Sequence, residues 1–200
     1  MNPPNGKSEL EKMRSFEWYC SEDPELIKLR KEAATLFREL NQTGEDSKSY
    51  ARRQEIYKQL FGKVGENLGI SPPFYCDYGK YIFFGNSVFL NFGCVILDGC
   101  DVIFGNNVMM GPYCQIYSVF HPFDAEERKK DLQNHKPVKI GNNVWFGGGV
   151  VLCPGVNIGD NCVIGTGSVV TKSIPENCLA FGNPCKVVRE IKRNEGRAML

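Results

Sequence analysis

The chain has 200 residues and a mass of 22.5 kDa, a length that fits one domain with a small appendage. It is 42% hydrophobic and 24% charged, which is ordinary for a globular protein, and its net charge of +1 argues against a general nucleic-acid binder. No apolar run approaches the ~20 residues of a membrane span, and the first residues lack the apolar core of a signal peptide.

The cysteines and histidines bear on the compartment and on metal binding. The nine cysteines are scattered among apolar residues, their number is odd, and no two form a CxxC motif. This pattern is typical of small buried side chains in a reducing compartment, so we expect a cytoplasmic protein without disulfides. Two histidines, His121 and His135, are too few for a three-histidine zinc site in one chain, and we expect no metal.

Residues 1–70 are predicted to form an N-terminal helical segment, opening with polar residues that we expect to be frayed. Asp23 and Pro24 indicate a helix start, because an Asp side chain caps a free N–H and Pro has no N–H to lose at the first helical position. Apolar residues follow at helical spacing, and a second helix is predicted from about Asp46. Residues 20–62 are therefore predicted to form a helical hairpin.

From residue 80 onward, apolar residues recur every six residues, with two interruptions. These positions are Phe84, Leu90, Ile96, Phe104, Met110, Ile116, Ile140, Phe146, Leu152, Ile158, Ile164 and Val170. A small or β-branched residue stands two positions before every one of them, and glycine follows seven of the twelve. Such a period suits short flat strands separated by tight turns, in which glycine permits the turn.

The hexads predict a mainly β fold: a parallel β-helix of about four coils over residues 71–172, with a C-terminal tail over residues 173–200. An ordinary antiparallel β protein would show alternation of period two instead of a strict six-residue step. The repeat stops over residues 117–137, and a loop of this length in a compact domain is frequently functional.

His121 lies in this loop and is the residue best suited to proton transfer, because a neutral imidazole can remove a proton from a hydroxyl or an amine. The alternative is an ordinary solvated loop histidine. His135 stands in a polar stretch at the end of the same loop, and we expect it to be solvated. Lys172, Lys186 and Arg189 follow the coil and suit either a ligand with several phosphates or a solubilising C-terminus.

Several motifs together identify a known family. They are PPFYCDYG at 72–79, the pair His121-Pro122, NNVW at 142–145, GTGSVVTK at 165–172 and GNPCKVV at 182–188. In this order they resemble the maltose/galactoside O-acetyltransferases, the sugar-acetylating branch of the hexapeptide acyltransferases. The resemblance covers the chain from about Tyr19 to Ile191, and it implies that the β-helix is left-handed.

The resemblance implies a function and a set of site residues. The donor would be acetyl-CoA, the acceptor a sugar hydroxyl, and the enzyme a trimer with sites between subunits and no need of metal, nucleic acid or membrane. His121 would be the general base. The acceptor would contact Asp77, Phe89, Asn91 and Asp98. The coenzyme would contact Trp145, Gly148, Thr166, Thr171, Lys172, Lys186 and Arg189, with a backbone N–H near Gly148 stabilising the oxyanion.

The sequence departs from the family on the acceptor side. Gly99 stands where some relatives carry a sugar-binding Asp, and Cys20 stands where many carry an Asp after the tyrosine. Ser21 or Asp23 would take over that contact, or it is lost. Two other readings stay open: a non-catalytic trimeric scaffold or binding module, and an acetyltransferase that acts on an amine or an antibiotic hydroxyl.

Overall fold

The structure, a computed structural model, describes residues 6–192. Its body is a parallel β-helix with three faces, each a sheet of short strands stacked from coil to coil. The first face contains β4 (Ile82–Phe83), β7 (Val102–Phe104), β12 (Val138–Ile140) and β15 (Asn157–Ile158). The second face contains β2 (Gly69–Ile70), β5 (Phe89–Leu90), β8 (Met109–Met110), β13 (Trp145–Phe146), β16 (Val163–Ile164) and β18 (Cys178–Gly182). The third face contains β3 (Phe74–Cys76), β6 (Cys94–Leu97), β9 (Gln115–Tyr117), β14 (Val151–Leu152) and β17 (Val169–Val170).

The chain completes about six coils, more than the four that the hexads predict. A first coil includes β2 and β3 and begins at Lys63, which bridges to Phe83, and a last coil includes Ile174 and β18. Both were missed because the spacing of inward residues changes at the two ends of the repeat: it is longer between Cys76 and Phe84, and shorter after Val170. The coils therefore extend beyond residues 71–172 on both sides.

The predicted interior is confirmed. Every apolar hexad position from Phe84 to Val170 is buried, and so is the residue two positions before each of them. These side chains form one continuous core that runs along the axis of the β-helix and ends against the N-terminal helices. Each fully buried aliphatic or aromatic side chain of this size contributes roughly 1.5–3 kcal/mol to folding.

The glycines that follow the hexad residues do not serve to permit tight turns, as the sequence suggested. Gly105 and Gly111 do not have a positive φ, and a Cβ on Gly105 would lie 2.6 Å from the carbonyl oxygen of Gly141 on the next coil. These glycines therefore allow the close approach of neighbouring coils. Asparagines adopt the left-handed conformation at the corners instead, and their side chains form a ladder from Asn107 through Asn143 to Asn161.

The N-terminal segment forms three helices: α1 (Glu9–Arg14), α2 (Pro24–Asn41) and α3 (Ser47–Leu60). The helical hairpin is as predicted, with the side chains of Asp23 and Asp46 capping α2 and α3. Helix α1 was not predicted, because its residues are mostly polar. Ser8 and Glu11 close a capping box at its start, and Met13 is buried. Within residues 6–192, no helix has the length and apolarity needed to cross a bilayer.

The described part of the predicted C-terminal tail, residues 173–192, adds further strands to the β-helix. Strand β18 continues the second face, and β19 (Cys185–Glu190) pairs with it as an antiparallel hairpin. Residues 193–200 of the predicted tail lie outside the described residues. All nine cysteines are free thiols, and most of them are buried.

The break in the repeat forms an ordered insertion. It contains β10 (Val119–Phe120), the short helix α4 (Ala125–Arg128) and β11 (Leu132–His135), after which the coil resumes at Val138. Strand β11 pairs antiparallel with β10 on one side and with β1 (Tyr19–Cys20) on the other. The insertion is thus a hairpin with a third strand supplied by the N-terminal segment.

The close coil spacing yields a prediction for stability. Gly105→Ala is expected to lower the free energy of unfolding by about 2 kcal/mol, because the added Cβ meets backbone that the strand ladder holds in place. Ser87, which has a φ of 56° at a corner, provides the control. Ser87→Gly is expected to be neutral or slightly stabilising, since glycine adopts this conformation freely. Urea denaturation of both variants measures the effect, and equal stabilities would contradict it.

Candidate active site

His121 follows β10 and is exposed at the surface of the insertion. Its Nδ1 lies 3.1 Å from the carbonyl oxygen of Leu132 on β11. A carbonyl oxygen only accepts, so Nδ1 carries the proton and donates it to this bond. In the neutral ring, Nε2 then holds an unshared electron pair. The hairpin therefore fixes both the orientation of His121 and the tautomer that a general base requires.

A cleft of about 320 Å³ contains His121, and aromatic and proline side chains form most of its wall. Trp18 packs edge-on against Phe120, with ring centroids 5.6 Å apart and an interplanar angle of 81°. The other lining residues are Pro122, Phe123, Lys136 and Pro154. Trp18, Phe123 and Lys136 were not singled out in the sequence, because neither a repeat nor a motif connects them.

His135 is not solvated, contrary to the sequence-based expectation. It is only 2% exposed, its ring stacks on Tyr19, and its Nε2 is hydrogen bonded to the Tyr19 hydroxyl. Burial, together with the nearby charges of Arg14 and His121, lowers the pKa of His135 to about 4. The sequence around His135 is polar, but its pairing with β1 and β10 places this residue inside.

Asp98 is completely buried, which does not fit the predicted contact with an acceptor. Its carboxylate accepts hydrogen bonds from the backbone N–H groups of Asp77, Tyr78 and Tyr81. Burial raises its pKa to about 7, although these bonds act in the opposite direction. Asp98 therefore organises the corner formed by the end of PPFYCDYG.

Asp77 is half-buried in that corner and stays available as an acceptor contact. Burial raises its pKa to about 6, and the nearby Arg30 guanidinium lowers it in part. A carboxyl group with this pKa is ionised in a large fraction of molecules at neutral pH. The other open candidates for the acceptor are engaged locally: Asp23 caps α2, and Ser21 bonds to the carbonyl of Asp131.

A second set of predicted residues lies on a different part of the β-helix. Phe89 and Trp145 are exposed on the second face, in one column with Met109 between them. Asn91 and Gly148 stand at the corner that leads from the second face to the third. Thr166 is exposed at the same corner, one coil beyond Gly148.

The amide of Gly148 has an unusual position at this corner. The amides on either side of it, those of Gly147 and Gly149, donate to the carbonyls of Ile164 and Pro112, each at 2.8 Å. The Gly148 N–H makes no hydrogen bond within residues 6–192. This donor is therefore free to bind an oxygen atom that comes from outside the coil.

The predicted coenzyme contacts Thr171, Lys172, Lys186 and Arg189 are all exposed near the C-terminal end of the β-helix. Thr171 and Lys172 follow β17 at the corner after the third face, and Lys186 and Arg189 lie on β19. Arg189 donates a hydrogen bond to the carbonyl of Glu190. Among the described residues, no group of three or more His, Cys, Asp or Glu side chains is arranged to hold a metal ion.

The predicted site residues therefore form two groups. Asp77 and Asp98 directly follow strands of the third face, and the insertion that carries His121 begins after β9 of the same face. In contrast, Phe89, Asn91, Trp145, Gly148 and Thr166 lie on or just after strands of the second face. The fold aligns the members of each group along one side of the β-helix. It does not bring the two groups into one pocket within a single chain.

Comparisons with known proteins agree with this architecture. Residues 12–65 match the maltose acetyltransferase hexapeptide capping motif, and residues 137–172 match the bacterial transferase hexapeptide repeat. The chain is 41% identical over 185 residues to a galactoside O-acetyltransferase of Lactococcus lactis, covering 92% of this chain and 88% of that protein.

Solved structures are equally similar. A maltose O-acetyltransferase from Clostridium difficile 630 has a TM-score of 0.90 and 47% identity, covering 94% of this chain and 99% of the other. A galactoside acetyltransferase in complex with coenzyme A has a TM-score of 0.88 and 39% identity, covering 93% and 92%. The chain is thus a hexapeptide-repeat acyltransferase and belongs to the maltose/galactoside O-acetyltransferase family.

The burial of His135 predicts a pH dependence of stability. Its folded-state pKa of about 4 lies below the ordinary value of 6.5, so the unfolded chain binds a proton between these pH values that the folded chain does not. Stability from this group is present above pH 6.5 and is lost as the pH falls toward 4. Relative to His135→Gln, the wild type is expected to lose about 2 kcal/mol between pH 7.5 and pH 5.

Chemical denaturation of both proteins at the two pH values, at one protein concentration, measures this difference. Asp77 and Asp98 titrate in the same range with the opposite sign, because their pKa values are raised. They are present in both proteins, so their contribution cancels in the comparison. A gap between wild type and variant that stays constant with pH would contradict the prediction.

Proposed function

We propose that the protein transfers the acetyl group of acetyl-CoA to a hydroxyl of a sugar, with His121 as the general base. The observation that carries the proposal is the bond from His121 Nδ1 to the Leu132 carbonyl, which leaves Nε2 unprotonated in an open cleft. His121 Nε2 accepts the hydroxyl proton while the hydroxyl oxygen attacks the thioester carbonyl. The same nitrogen then returns this proton to the departing thiolate, so no covalent intermediate on the enzyme is required.

The second side of the β-helix suits the acyl donor. The free N–H of Gly148 can stabilise the negative charge that develops on the thioester oxygen. The exposed column of Phe89, Met109 and Trp145 offers apolar surface to the pantetheine arm. Lys172, Lys186 and Arg189 are exposed cations that suit the phosphate groups of coenzyme A.

The separation of the two groups supports a homotrimer with sites between subunits. His121 and the Gly148 amide act on the same reacting atoms in the proposed reaction, yet they lie on different sides of one β-helix. In a symmetric assembly, the side of one subunit that carries His121 faces the side of its neighbour that carries Gly148. Each site would then take its base from one chain and its oxyanion donor from the next.

The cleft around His121 suits an acceptor with one apolar surface, such as a sugar ring or an aryl substituent. Trp18, Phe120 and Phe123 supply aromatic surface in this cleft. Outside it, Asp77 of the same chain and, across the subunit boundary, Asn91 of the neighbouring chain would supply hydrogen bonds to the acceptor's hydroxyl groups. We place the enzyme in the cytoplasm, where its nine free thiols would stay reduced.

The test is thiol release from acetyl-CoA with glucosides, galactosides, maltose and a set of amines as acceptors. His121→Ala is expected to lower kcat by ~10²- to 10⁴-fold, the usual effect of losing a general base. Glu126→Ala is the matched control, because Glu126 lies in the same insertion but forms only an exposed ion pair with Lys129. It is expected to keep full activity.

Each outcome of this assay is informative. Release that depends on a sugar and is lost in His121→Ala supports the proposal. Release with amines alone would replace the sugar acceptor, and full activity of His121→Ala would exclude this histidine as the base. A folded protein without release and without coenzyme A binding would favour the scaffold reading.

The aromatic cleft gives a separate prediction for the acceptor. Trp18→Ala is expected to raise KM for an aryl glycoside about tenfold, because it removes an apolar surface next to His121. KM for acetyl-CoA is expected to stay within about twofold, since none of the proposed donor contacts lines the cleft that contains Trp18. Steady-state kinetics with each substrate varied in turn separates the two constants. An equal rise in both would argue that Trp18 supports the fold instead of the acceptor.

A further inference from the structure

We propose that His135 is a positioning residue for His121: its buried ring anchors strand β11, whose Leu132 carbonyl then selects the tautomer of His121. The proposal rests on the proposed function in giving His121 the role of base. Whether the tautomer of His121 depends on His135 can be measured without the reaction.

The first contact that anchors β11 is steric: Gly99 has no side chain, and the ring of His135 occupies the space that a side chain there would fill. A Cβ on Gly99 would overlap the imidazole ring of His135. Gly99 directly follows Asp98, and the Asp98 carboxylate is bonded to three backbone N–H groups of the preceding coil. The socket therefore lies in a rigid part of the β-helix, and the ring of His135 closes it.

The anchor also has a polar part. The side-chain amide of Gln133 donates to the Tyr19 hydroxyl oxygen at 2.6 Å, and this hydroxyl is hydrogen bonded to Nε2 of His135. The hydroxyl has one hydrogen to donate and two lone pairs to accept with, so it can bond to Gln133 and to Nε2 of His135 at the same time. The rings of Tyr19 and His135 are stacked with centroids 5.1 Å apart.

Strand β11 connects this anchor to His121. His135 ends β11 opposite Val119, and Leu132 begins β11 and accepts the bond from His121 Nδ1. The amide of Lys136 bonds to the Ser118 carbonyl at 2.8 Å and closes the root of the hairpin. A hairpin this short is not stable by itself, so the position of Leu132 depends on how the strand is fixed.

His135 does not take part in the reaction directly, because its side chain is only 2% exposed and cannot contact a substrate. Its effect on catalysis passes through Leu132. If β11 shifts, the His121 Nδ1–H loses its acceptor, and the proton distributes between the two ring nitrogens. A His121 ring that is protonated on Nε2 cannot accept the hydroxyl proton there.

The first experiment reads the tautomer directly, by ¹⁵N NMR of histidine-labelled protein at pH 8. The chain has only two histidines, so the spectrum contains only two rings. In the wild type, His121 is expected to show a protonated Nδ1 and an unprotonated Nε2. In His135→Ala, the single remaining ring is expected to show averaged shifts of both tautomers. The same variant is expected to lower kcat at least tenfold and to change KM for acetyl-CoA less than threefold.

A double-mutant cycle tests the socket. Gly99→Ala is expected to displace the His135 ring and to lower kcat by a factor similar to that of His135→Ala. Because both substitutions remove the same contact, the double variant is expected to be no worse than the poorer single variant. Multiplied losses in the double variant would mean that the two residues act independently, and this would overturn the proposal.

A control separates positioning from general loss of stability. Tyr57 forms a buried hydrogen bond with the backbone of Ile70 on the second face, and it packs in a different core cluster from Tyr19, so Tyr57→Phe lowers stability without touching the His135 contacts. It is expected to keep kcat and a single His121 tautomer.

The proposal is overturned if His135→Ala keeps one His121 tautomer, whether or not kcat falls. If His121→Ala proves fully active, the proposed function fails. The NMR measurement then still decides whether His135 controls the tautomer of His121.

Discussion

The close stacking of coils is the constraint on which the rest of the structure depends. Neighbouring coils approach until a Cβ at Gly105 would lie 2.6 Å from the backbone of the next coil, and the strand ladders fix this distance on all three faces. A side chain in such a body has only two directions, into the core or out to the surface. Residues at equivalent positions of successive coils therefore form straight columns, and this explains how Phe89, Met109 and Trp145 come to share one exposed line. Core side chains fill the interior of the β-helix, so the cleft that contains His121 is formed by the insertion and the residues next to it instead.

The insertion at residues 117–137 breaks this regularity and provides what the coil lacks, an oriented imidazole next to a cleft. Its short strands are held from outside, by β1 and by the contacts of His135, because the ladder of the β-helix does not include them. Asp77 and Asp98 lie at the corner after the third face, and burial raises the pKa of both carboxyl groups. Gly99, against which the His135 ring packs, stands at the same corner, so the insertion is attached where these carboxyl groups are buried.

The sequence predicts the parts of the molecule that local pattern controls. The hexads from Phe84 to Val170 identify the core, and Asp23 with Pro24 identifies the start of α2, because six-residue spacing and helix capping are written in consecutive residues. The first and last coils were missed where the spacing changes. Burial of His135 was not predictable from its polar neighbours, since it depends on Gly99 and Tyr19, which are distant in sequence. Asp98 shows the same effect, because its buried role follows from the fold of the preceding coil.

The two sides of the proposed site also differ in how firmly the chain constrains them. The donor side is built from the repeat itself, where Gly148 owes its free N–H to the corner geometry that engages the amides on either side of it. Substitutions there disturb the coil, so this side is expected to vary little among proteins of this fold. The acceptor side is built from the insertion and from the residue before β1, and their side chains Phe123 and Trp18 line a cleft without belonging to the core. A change of acceptor can therefore occur at little cost in stability, because the residues that define the cleft are separate from those that hold the coils together.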